Sequence, residues 1–332
     1  MSARPIDPPQ DTTAAELEQW ARDVAQLTGG RYEVRRLIAR GGMSVVLLGW
    51  DRSEGRPVAL KLLDPAEGAS LESRERFRRE ARISRDMAHP HIVPCYGSVH
   101  QDQLTLTILR YIPGQSLADR LEGGERLSVR ALLGVLIPLA DALSHAHQRG
   151  VVHRDVKPAN ILLHQDDSWP FLTDFGVATL RTSEHSRSEV AKGFGTPAYM
   201  APEQVLGKWD ADARTDIYAL GLVAYQSLAG RLPWTSETAM GLAVQRTVWD
   251  ARPLRHFAPE IPERLAAIID RCLARDPRRR WRSMAELRRA LERCRTRLSA
   301  AEAKPSRFTA LLEKWYGRAL SASPRLASML LL

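Results

Sequence analysis

The most constraining feature of this 332-residue chain is a polar run near its middle, followed closely by a second one. The first run reads His153-Arg-Asp-Val-Lys-Pro-Ala-Asn160, and three apolar residues come directly after it. The second run is Asp174-Phe-Gly176. Asp174 and Asn160 carry the hard oxygen ligands that Mg²⁺ prefers. Asp and Asn are common in loops one at a time, but this ordered set indicates a chemical site.

The two runs match the catalytic-loop and metal-loop signatures of protein kinases, and the stretch 32–298 resembles the eukaryotic-like serine/threonine protein kinases of bacteria. The resemblance implies a bilobal α+β fold, with a small β-rich N-lobe and a larger helical C-lobe. Together with the sequence pattern outside it, the resemblance divides the chain into an N-terminal extension with a short amphipathic helix (1–30), a kinase domain (N-lobe 31–109, hinge 110–114, C-lobe 115–298) and a C-terminal tail (299–332).

Hydrophobic periodicity predicts the same two-part organisation. Strands are expected at 32–39, 45–51, 57–63, 92–99 and 104–109, with one charged helix at 72–87. Beyond residue 114 the pattern becomes helical, chiefly at 127–149, 213–229, 262–273 and 283–298. A further helix is expected before the first strand, because apolar residues recur there at helical spacing and Thr13 with Glu16 forms a capping box. Its apolar face needs a surface to cover it.

Phosphoryl transfer from ATP requires metal ions on the phosphate oxygens, a cation that orients them and a group that positions the attacking hydroxyl. Asp174 and Asn160 are expected to bind Mg²⁺, with Mn²⁺ as the alternative ion, and Asp155 is expected to accept the hydroxyl proton. By the resemblance, Lys157 contacts the γ-phosphate as in serine/threonine-specific kinases. The sequence therefore predicts an ATP-dependent protein kinase acting on Ser and Thr.

The run Val58-Ala-Leu-Lys61 has the alternating pattern of the strand that carries the ATP-orienting lysine in kinases, and Glu80 is the expected ion-pair partner. Lysine is rare in this chain, with only six among 48 basic residues. Two of the six, Lys61 and Lys157, fall where a compact ammonium is needed on phosphate oxygens.

The loop 38–46 resembles the glycine-rich flap that covers the ATP phosphates in kinases. It departs from the pattern GxGxxG, because Ala39 and Ser44 replace the first and third glycines, while Gly41 and Gly42 remain at the tip. Because Ala39 in a strand needs no positive φ, weaker nucleotide binding is the most we expect. The resemblance assigns the adenine site as follows: Val46, Ala59 and Leu162 sandwich the base, Leu109 is the gatekeeper, and the backbones of Arg110 and Ile112 bind its edge.

The run 195–203 resembles the end of a kinase activation segment, with Thr196 facing Asp155 and Lys157. By the same resemblance, three further residues are structural rather than catalytic: Asp216, Glu203 and Arg280. Arg154 beside Asp155 indicates control by phosphorylation. We expect autophosphorylation in the segment before Thr196, where the candidates are Ser188, Ser186, Thr182 and Ser183. The alternative is that these are simply polar loop residues.

Composition limits the partners. The net charge of +9 comes from arginines spread over the whole chain, which favours a solvated surface, so no nucleic acid is expected. The three cysteines stand singly, which predicts neither a disulfide framework nor a zinc site. No transmembrane anchor and no secretory signal are predicted, and we expect a cytoplasmic location. Protein substrates are the implied partners, while a dedicated metal-dependent phosphatase and a dimer stay open.

Two other functions remain open. A nucleotide-binding scaffold without kinase activity is favoured only by Ala39 and Ser44, and an enzyme acting on a small-molecule hydroxyl is disfavoured by the intact run 195–203. The tail after residue 298 lies outside the resemblance. Its apolar residues are predicted to pack on the helical lobe, with partner binding or contact with a membrane surface as the alternative.

Overall fold

The computed structural model describes residues 13–41, 44–63, 71–101, 104–122, 124–175, 197–208 and 212–302. Contacts divide the chain into two units, Met1–Leu291 and Glu292–Leu332. The elements that build the site belong to the first unit.

A five-stranded antiparallel sheet forms the N-lobe. Its strands are β1 (Tyr32–Arg40), β2 (Ser44–Asp51), β3 (Arg56–Leu63), β4 (Cys95–Gln101) and β5 (Leu104–Arg110), in the order β1-β2-β3-β5-β4. Because side chains alternate between the faces of a strand, Leu60 and Leu62 point into a buried core while Lys61 points the other way. Helix α2 (Leu71–Asp86) lies between β3 and β4 in the chain and packs on β4 and β5.

Helix α1 (Ala14–Thr28) packs against the core face of this sheet. The predicted capping box is present, because Thr13 Oγ1 accepts from Glu16 N at 3.2 Å while Glu16 accepts from Thr13 N at 2.9 Å. Trp20 and Val24 are buried in one cluster with residues of β2, β3 and β5. The expected apolar face of α1 therefore has its cover, and the N-terminal extension contributes to the core of the N-lobe.

The C-lobe is mainly helical, with one small antiparallel sheet of order β6-β7-β8. Its elements are β6 (Gly114–Ser116), α3 (Leu117–Glu122), α4 (Val129–Gln148), β7 (Ile161–His164), β8 (Pro170–Leu172), α5 (Pro202–Val205), α6 (Arg214–Ala229), α7 (Ala239–Val248), α8 (Leu254–Phe257), α9 (Glu263–Cys272) and α10 (Met284–Glu302).

Helix α6 is the centre of the C-lobe and is buried along almost its whole length. It contacts both α4 and α9. A Cβ atom at Gly221 would lie 2.6 Å from the Cβ of Cys272, so only glycine allows α6 to approach α9 this closely. Buried on every side, α6 can serve as the rigid support for the loops above it.

Helix α4 is the only one, among the described residues, that is long and apolar enough to cross a membrane by length and composition. However, 61% of its most apolar window is buried inside the protein, which is the pattern of a core helix in a globular lobe. Its interior Pro138 and its buried leucines fit that position.

The predicted strand at 92–99 was wrong at its start, because β4 begins at Cys95. The preceding residues pair with the C-lobe instead: Val93 N donates to Leu172 O at 2.9 Å, and Leu172 N donates to His91 O at 2.8 Å. Pro94 has no N–H to continue a sheet ladder. These bonds join the two lobes behind the cleft. The sequence-based prediction also lacked the three short strands of the C-lobe and the helices α3, α5, α7 and α8, while the other elements that it named agree with the observed ones to within a few residues.

Candidate active site

The N-lobe side of the cleft is built around Lys61 on β3. Its Nζ atom donates to Glu80 Oε1 of α2 at 2.5 Å and to Asp174 Oδ1 at 2.8 Å. The lysine side chain is only 11% exposed, so the ammonium has exchanged water for these two carboxylates. The ion pair expected between Lys61 and Glu80 is present, and Asp174 joins it from the C-lobe.

Electrostatics hold this triad in its charged form. Burial alone would lower the pKa of the Lys61 ammonium, but Asp174 and Glu80 outweigh it and raise the pKa above the ordinary lysine value. Burial would likewise raise the pKa of Asp174, yet the charge of Lys61 keeps that pKa below its ordinary value. The pKa of Glu80 is raised by burial, which Lys61 only partly opposes. The Asp174 carboxyl therefore stays ionised to lower pH than the Glu80 carboxyl.

The C-lobe side of the cleft is the loop 153–160. Lys157 Nζ donates to Asp155 Oδ2 at 2.8 Å. Asn160 Nδ2 donates to the backbone oxygen of Asp155 at 2.8 Å and to its Oδ2 at 3.1 Å. These bonds fix the Asp155 carboxylate beside an ammonium and turn the amide nitrogen of Asn160 toward it, so that the Asn160 oxygen points to the opposite side of the amide.

A fully buried carboxylate supports this loop from below. Asp216 of α6 accepts from His153 N at 2.9 Å and from Arg154 N at 2.8 Å, and His147 Nε2 lies 2.7 Å from its Oδ2. Burial would raise the pKa of Asp216, but the hydrogen bond and charge of His147 lower it, so the anchor stays ionised. This geometry fits the structural role predicted for Asp216, whereas His147 was not identified from the sequence.

Backbone conformation is strained on both sides of the site. Arg154 and Asp174 adopt positive φ values of 65° and 62°, which are uncommon for residues other than glycine. The Asp216 bonds hold Arg154 in place, and the Lys61 bond holds Asp174. Such residues persist where the surrounding structure over-determines them, as it does at functional sites.

A second buried ion pair fixes the segment that follows the cleft. Arg280 donates to both carboxylate oxygens of Glu203, at 2.7 and 2.8 Å. The neighbouring Gln204 Nε2 donates to the backbone oxygen of Arg154 at 2.9 Å, which links this segment directly to the loop 153–160. Glu203 and Arg280 thus have the structural position that the sequence predicted, and Gln204 adds a link that it did not predict.

Three of the residues assigned to the adenine site lie in one cluster, and two others lie in the adjoining strands. Leu109, Ile112 and Leu162 belong to one apolar cluster that also contains Val93 and Phe171. Ala59 pairs directly with Leu109 across β3 and β5, and Val46 pairs with Lys61 across β2 and β3. The amide of Arg110 donates to Pro94 O at 2.9 Å. Behind the cluster, Thr107 and Ser84 line a small cavity beside Lys61.

The hairpin between β1 and β2 corresponds to the predicted flap. Ala39 pairs with Val46, and Gly41 N donates to Ser44 O at 2.8 Å, which closes the turn. Ala39 is an ordinary strand residue here, as expected.

Several predicted site residues lie outside the described residues: Gly42, Thr182, Ser183, Ser186, Ser188 and Thr196. Nothing in the structure tests their predicted roles. The leader before residue 13 and the tail beyond residue 302 also lie outside.

The chemistry of the donor set fits a magnesium ion. Asp174 and Asn160 supply a carboxylate and an amide oxygen, and Mg²⁺ typically takes one or two protein oxygens, with phosphate oxygens and waters filling its octahedron.

The N-lobe thus presents the buried ammonium of Lys61 near the hairpin of β1 and β2. The C-lobe presents the carboxylate of Asp155 beside the ammonium of Lys157. This is the organisation of an ATP-dependent phosphotransferase. The chain belongs to the protein kinase family, because the sequence model of the family described as protein kinase domain matches residues 32–290. The predicted bilobal fold is therefore confirmed, and membership implies the use of ATP and a divalent metal ion.

Similar proteins are bacterial. The chain is 34% identical over 80% of its length to a probable serine/threonine-protein kinase SCO3848 of Streptomyces coelicolor, and 32% identical over 86% to the serine/threonine-protein kinase PrkC of Bacillus subtilis. It spans 40% and 43% of the length of these two relatives. A crystal structure of the Mycobacterium tuberculosis PknI kinase domain is 31% identical with a TM-score of 0.63, covering 79% of this chain and 96% of that one.

Proposed function

We propose that this chain is an active serine/threonine protein kinase that transfers the γ-phosphate of ATP to hydroxyl groups of protein substrates. The observation that carries the proposal is the meeting of Lys61, Glu80 and Asp174 on one side of the cleft with Asp155, Lys157 and Asn160 on the other. Scaffold proteins that keep the fold have no need for all six groups.

Each side chain has a task that its geometry supports. Lys61, fixed by two carboxylates, presents its ammonium to the phosphates of the nucleotide. Asp155 accepts the proton of the attacking hydroxyl, and Lys157, 2.8 Å away, neutralises charge on the transferred group. Positioning of the two reactants accounts for much of the rate acceleration in this class of reaction.

Asp174 and Asn160 would hold Mg²⁺, or Mn²⁺ in its place. When bound, the ion neutralises the charge that develops on the phosphate oxygens. The low pKa of Asp174 keeps its carboxylate ionised for this purpose at neutral pH.

The test is incubation of the purified chain with labelled ATP, Mg²⁺ and a generic acceptor protein. Asp155→Asn and Lys61→Met should abolish labelling. Matched controls are Asp166→Asn in the exposed β7–β8 turn and Lys208→Met, another exposed residue, and both should label like the wild type. Phosphoamino-acid analysis should find phosphoserine or phosphothreonine.

The alternative is a scaffold that binds nucleotide without transferring phosphate. It would be favoured if neither the wild type nor the acceptor takes up label while ATP still raises the melting temperature. Label on a small-molecule hydroxyl but on no protein would favour the third function.

We also propose that the kinase activates itself by autophosphorylation in the segment that contains Ser188, Ser186, Thr182 and Ser183. The support is Arg154 next to Asp155, since an arginine at this place can pair with a phosphate group. Mass spectrometry of an active preparation should find phosphate there and none in the Asp155→Asn variant. An active but unmodified segment would contradict this proposal.

A cytoplasmic location is proposed as well. The three cysteines stand singly in the sequence without a CxxC pair, which fits a reducing compartment, and ATP is plentiful in the cytoplasm. Fractionation of cells that produce the full chain tests this, with recovery in the membrane fraction as the contrary result. We further propose a metal-dependent phosphatase that removes the transferred phosphate, which pull-down experiments test. A dimer is a separate proposal, which sedimentation experiments test.

A further inference from the structure

Arg246 is the most unusual charged residue outside the site described above. It lies on α7 and is 0% exposed, although α7 runs along the surface of the C-lobe. Its guanidinium donates three hydrogen bonds: Nε to Leu242 O at 3.1 Å, Nη1 to Met200 O at 2.5 Å and Nη2 to Ala198 O at 2.7 Å. In the part of the chain that the structure describes, these hydrogen bonds all go to backbone carbonyls.

Burying the guanidinium of Arg246 costs desolvation free energy, so burial without a role is a poor explanation. A buried charge loses its hydration and normally recovers the cost through an ion pair. Here burial lowers the pKa of Arg246, and carbonyl dipoles together with the ring of Trp234, 5.3 Å from the guanidinium carbon, replace the counter-ion. An apolar side chain could fill the same volume without this penalty.

Two of the three carbonyls identify what the guanidinium holds. Ala198 and Met200 lie in and directly after a single turn of 3-10 helix, Pro197–Tyr199, whose carbonyls lack the partners that a longer helix would provide. The planar fork of arginine can reach two such oxygens at once, which the ammonium of lysine cannot do with the same fixed geometry.

The segment held in this way leads to the catalytic loop. Ala201 N donates to Gln204 Oε1 at 2.9 Å, and Gln204 Nε2 donates to Arg154 O at 2.9 Å. Arg154 directly precedes Asp155. On its other side the segment is held by Tyr199, whose hydroxyl donates to Gln226 of α6.

We propose that Arg246 is a positioning residue for the protein acceptor: it fixes the backbone 198–200 relative to Asp155 and thereby shapes the surface over which the acceptor hydroxyl approaches. The inference rests on the proposed kinase function. The hydrogen bonds from Arg246 lead to the loop that carries Asp155. In the proposed function the nucleotide is held elsewhere, by β-strands and the hinge. Loss of the guanidinium should therefore weaken use of the acceptor and spare ATP binding.

The test compares steady-state kinetics of the full chain with Arg246→Met, which keeps the volume without donors, and Arg246→Lys, which keeps the charge without the fork. Tyr225→Phe is the matched control, because it removes a buried hydrogen bond to a different C-lobe carbonyl, Arg252 O at 3.0 Å. For Arg246→Met we expect the KM of a protein acceptor to rise about tenfold, equivalent to about 1.4 kcal/mol. The KM of ATP should stay within about twofold. Arg246→Lys should fall between, and Tyr225→Phe should match the wild type.

Hydrogen exchange provides a second measurement that does not require activity. In Arg246→Met and Arg246→Lys, amides of 198–204 should exchange faster while those of α6 stay protected. A uniform loss of protection across the C-lobe, or equal changes in the KM of ATP and of the acceptor, would overturn the proposal in favour of a purely structural role. If the wild type itself transfers no phosphate, the proposed function fails, and the exchange result alone decides whether Arg246 holds the segment.

Discussion

The buried pair between Arg280 and Glu203 offers the sharpest test of how the C-lobe frame is held together. The arginine side chain is 0% exposed and the glutamate 9%. Arg280 also donates to three backbone carbonyls, those of Ala274, Arg214 and Arg275. Replacing it by methionine keeps much of the volume but leaves the Glu203 carboxylate in the interior, where the Thr215 hydroxyl is its one remaining side-chain donor among the residues that the structure describes.

The expected cost follows from this geometry. Removing one partner of a buried ion pair typically costs about 3–5 kcal/mol, because the remaining charge is uncompensated. The net stability of a domain is only about 5–15 kcal/mol, so Arg280→Met should remove about a fifth or more of it. At about 2–4 °C per kcal/mol for chains of this size, the melting temperature should fall by about 10 °C.

A double-mutant cycle measured by urea unfolding separates the interaction free energy of the Arg280–Glu203 pair from the effects of the other hydrogen bonds of Arg280. Glu203→Gln in the Arg280→Met background removes the stranded charge, so the double variant should be less destabilised than the sum of the single variants. Arg278→Met is the control, because Arg278 is an exposed arginine paired with Asp276, and it should have no measurable effect. Additive single effects, or an Arg280→Met protein as stable as the wild type, would refute the reasoning.

Three further predictions concern other parts of the protein. Lys61→Met should lower kcat by about 100-fold or more in the labelled-ATP assay, since the preorganised cation is lost, and an unchanged kcat would contradict its role. Trp20→Ala should cost about 3–5 kcal/mol in urea unfolding, because this indole is buried between α1 and the sheet; a neutral result would mean that α1 is dispensable for the N-lobe core. Burial lowers the pKa of both His89 and His145 below the ordinary histidine value. As the pH falls through that ordinary value, the unfolded chain therefore binds more protons than the folded one. The free energy of unfolding should fall as the pH drops from about 7 to about 5. The double variant His89→Gln/His145→Gln should flatten that dependence, and an equally steep fall would contradict the assignment.

Much of the site could be predicted because its chemistry fixes residue types at short spacings. Asp155, Lys157 and Asn160 lie within six residues, and their mutual hydrogen bonds are local in sequence. Lys61 and Asp174 are 113 positions apart, yet each stands in a recognisable run of its own. Helix α1 could equally be predicted from the sequence, since its cap and its apolar spacing are both local signals.

The parts that could not be predicted depend on burial that the sequence does not display. Helix α7 turns Met240, Val244 and Val248 to the outside, so its large apolar residues give no inward-facing pattern. The side chains of α7 that are fully buried are the small Ala243 and the charged Arg246. The start of β4 was misjudged for a related reason, because the competing bonds to Leu172 come from a different lobe.

The contrast between lysine and arginine connects these observations. Arg280 and Arg246 are both fully buried, and each uses a planar fork on oxygens whose positions are fixed by backbone or by a bidentate carboxylate. Lys61 and Lys157 are 11% and 16% exposed, and each ammonium donates to a carboxylate while remaining compact enough to contact phosphate oxygens as well. Two of the six lysines among 48 basic residues thus occur where the proposed function needs an ammonium on phosphate, while the frame around them depends on the several fixed hydrogen bonds of each buried arginine.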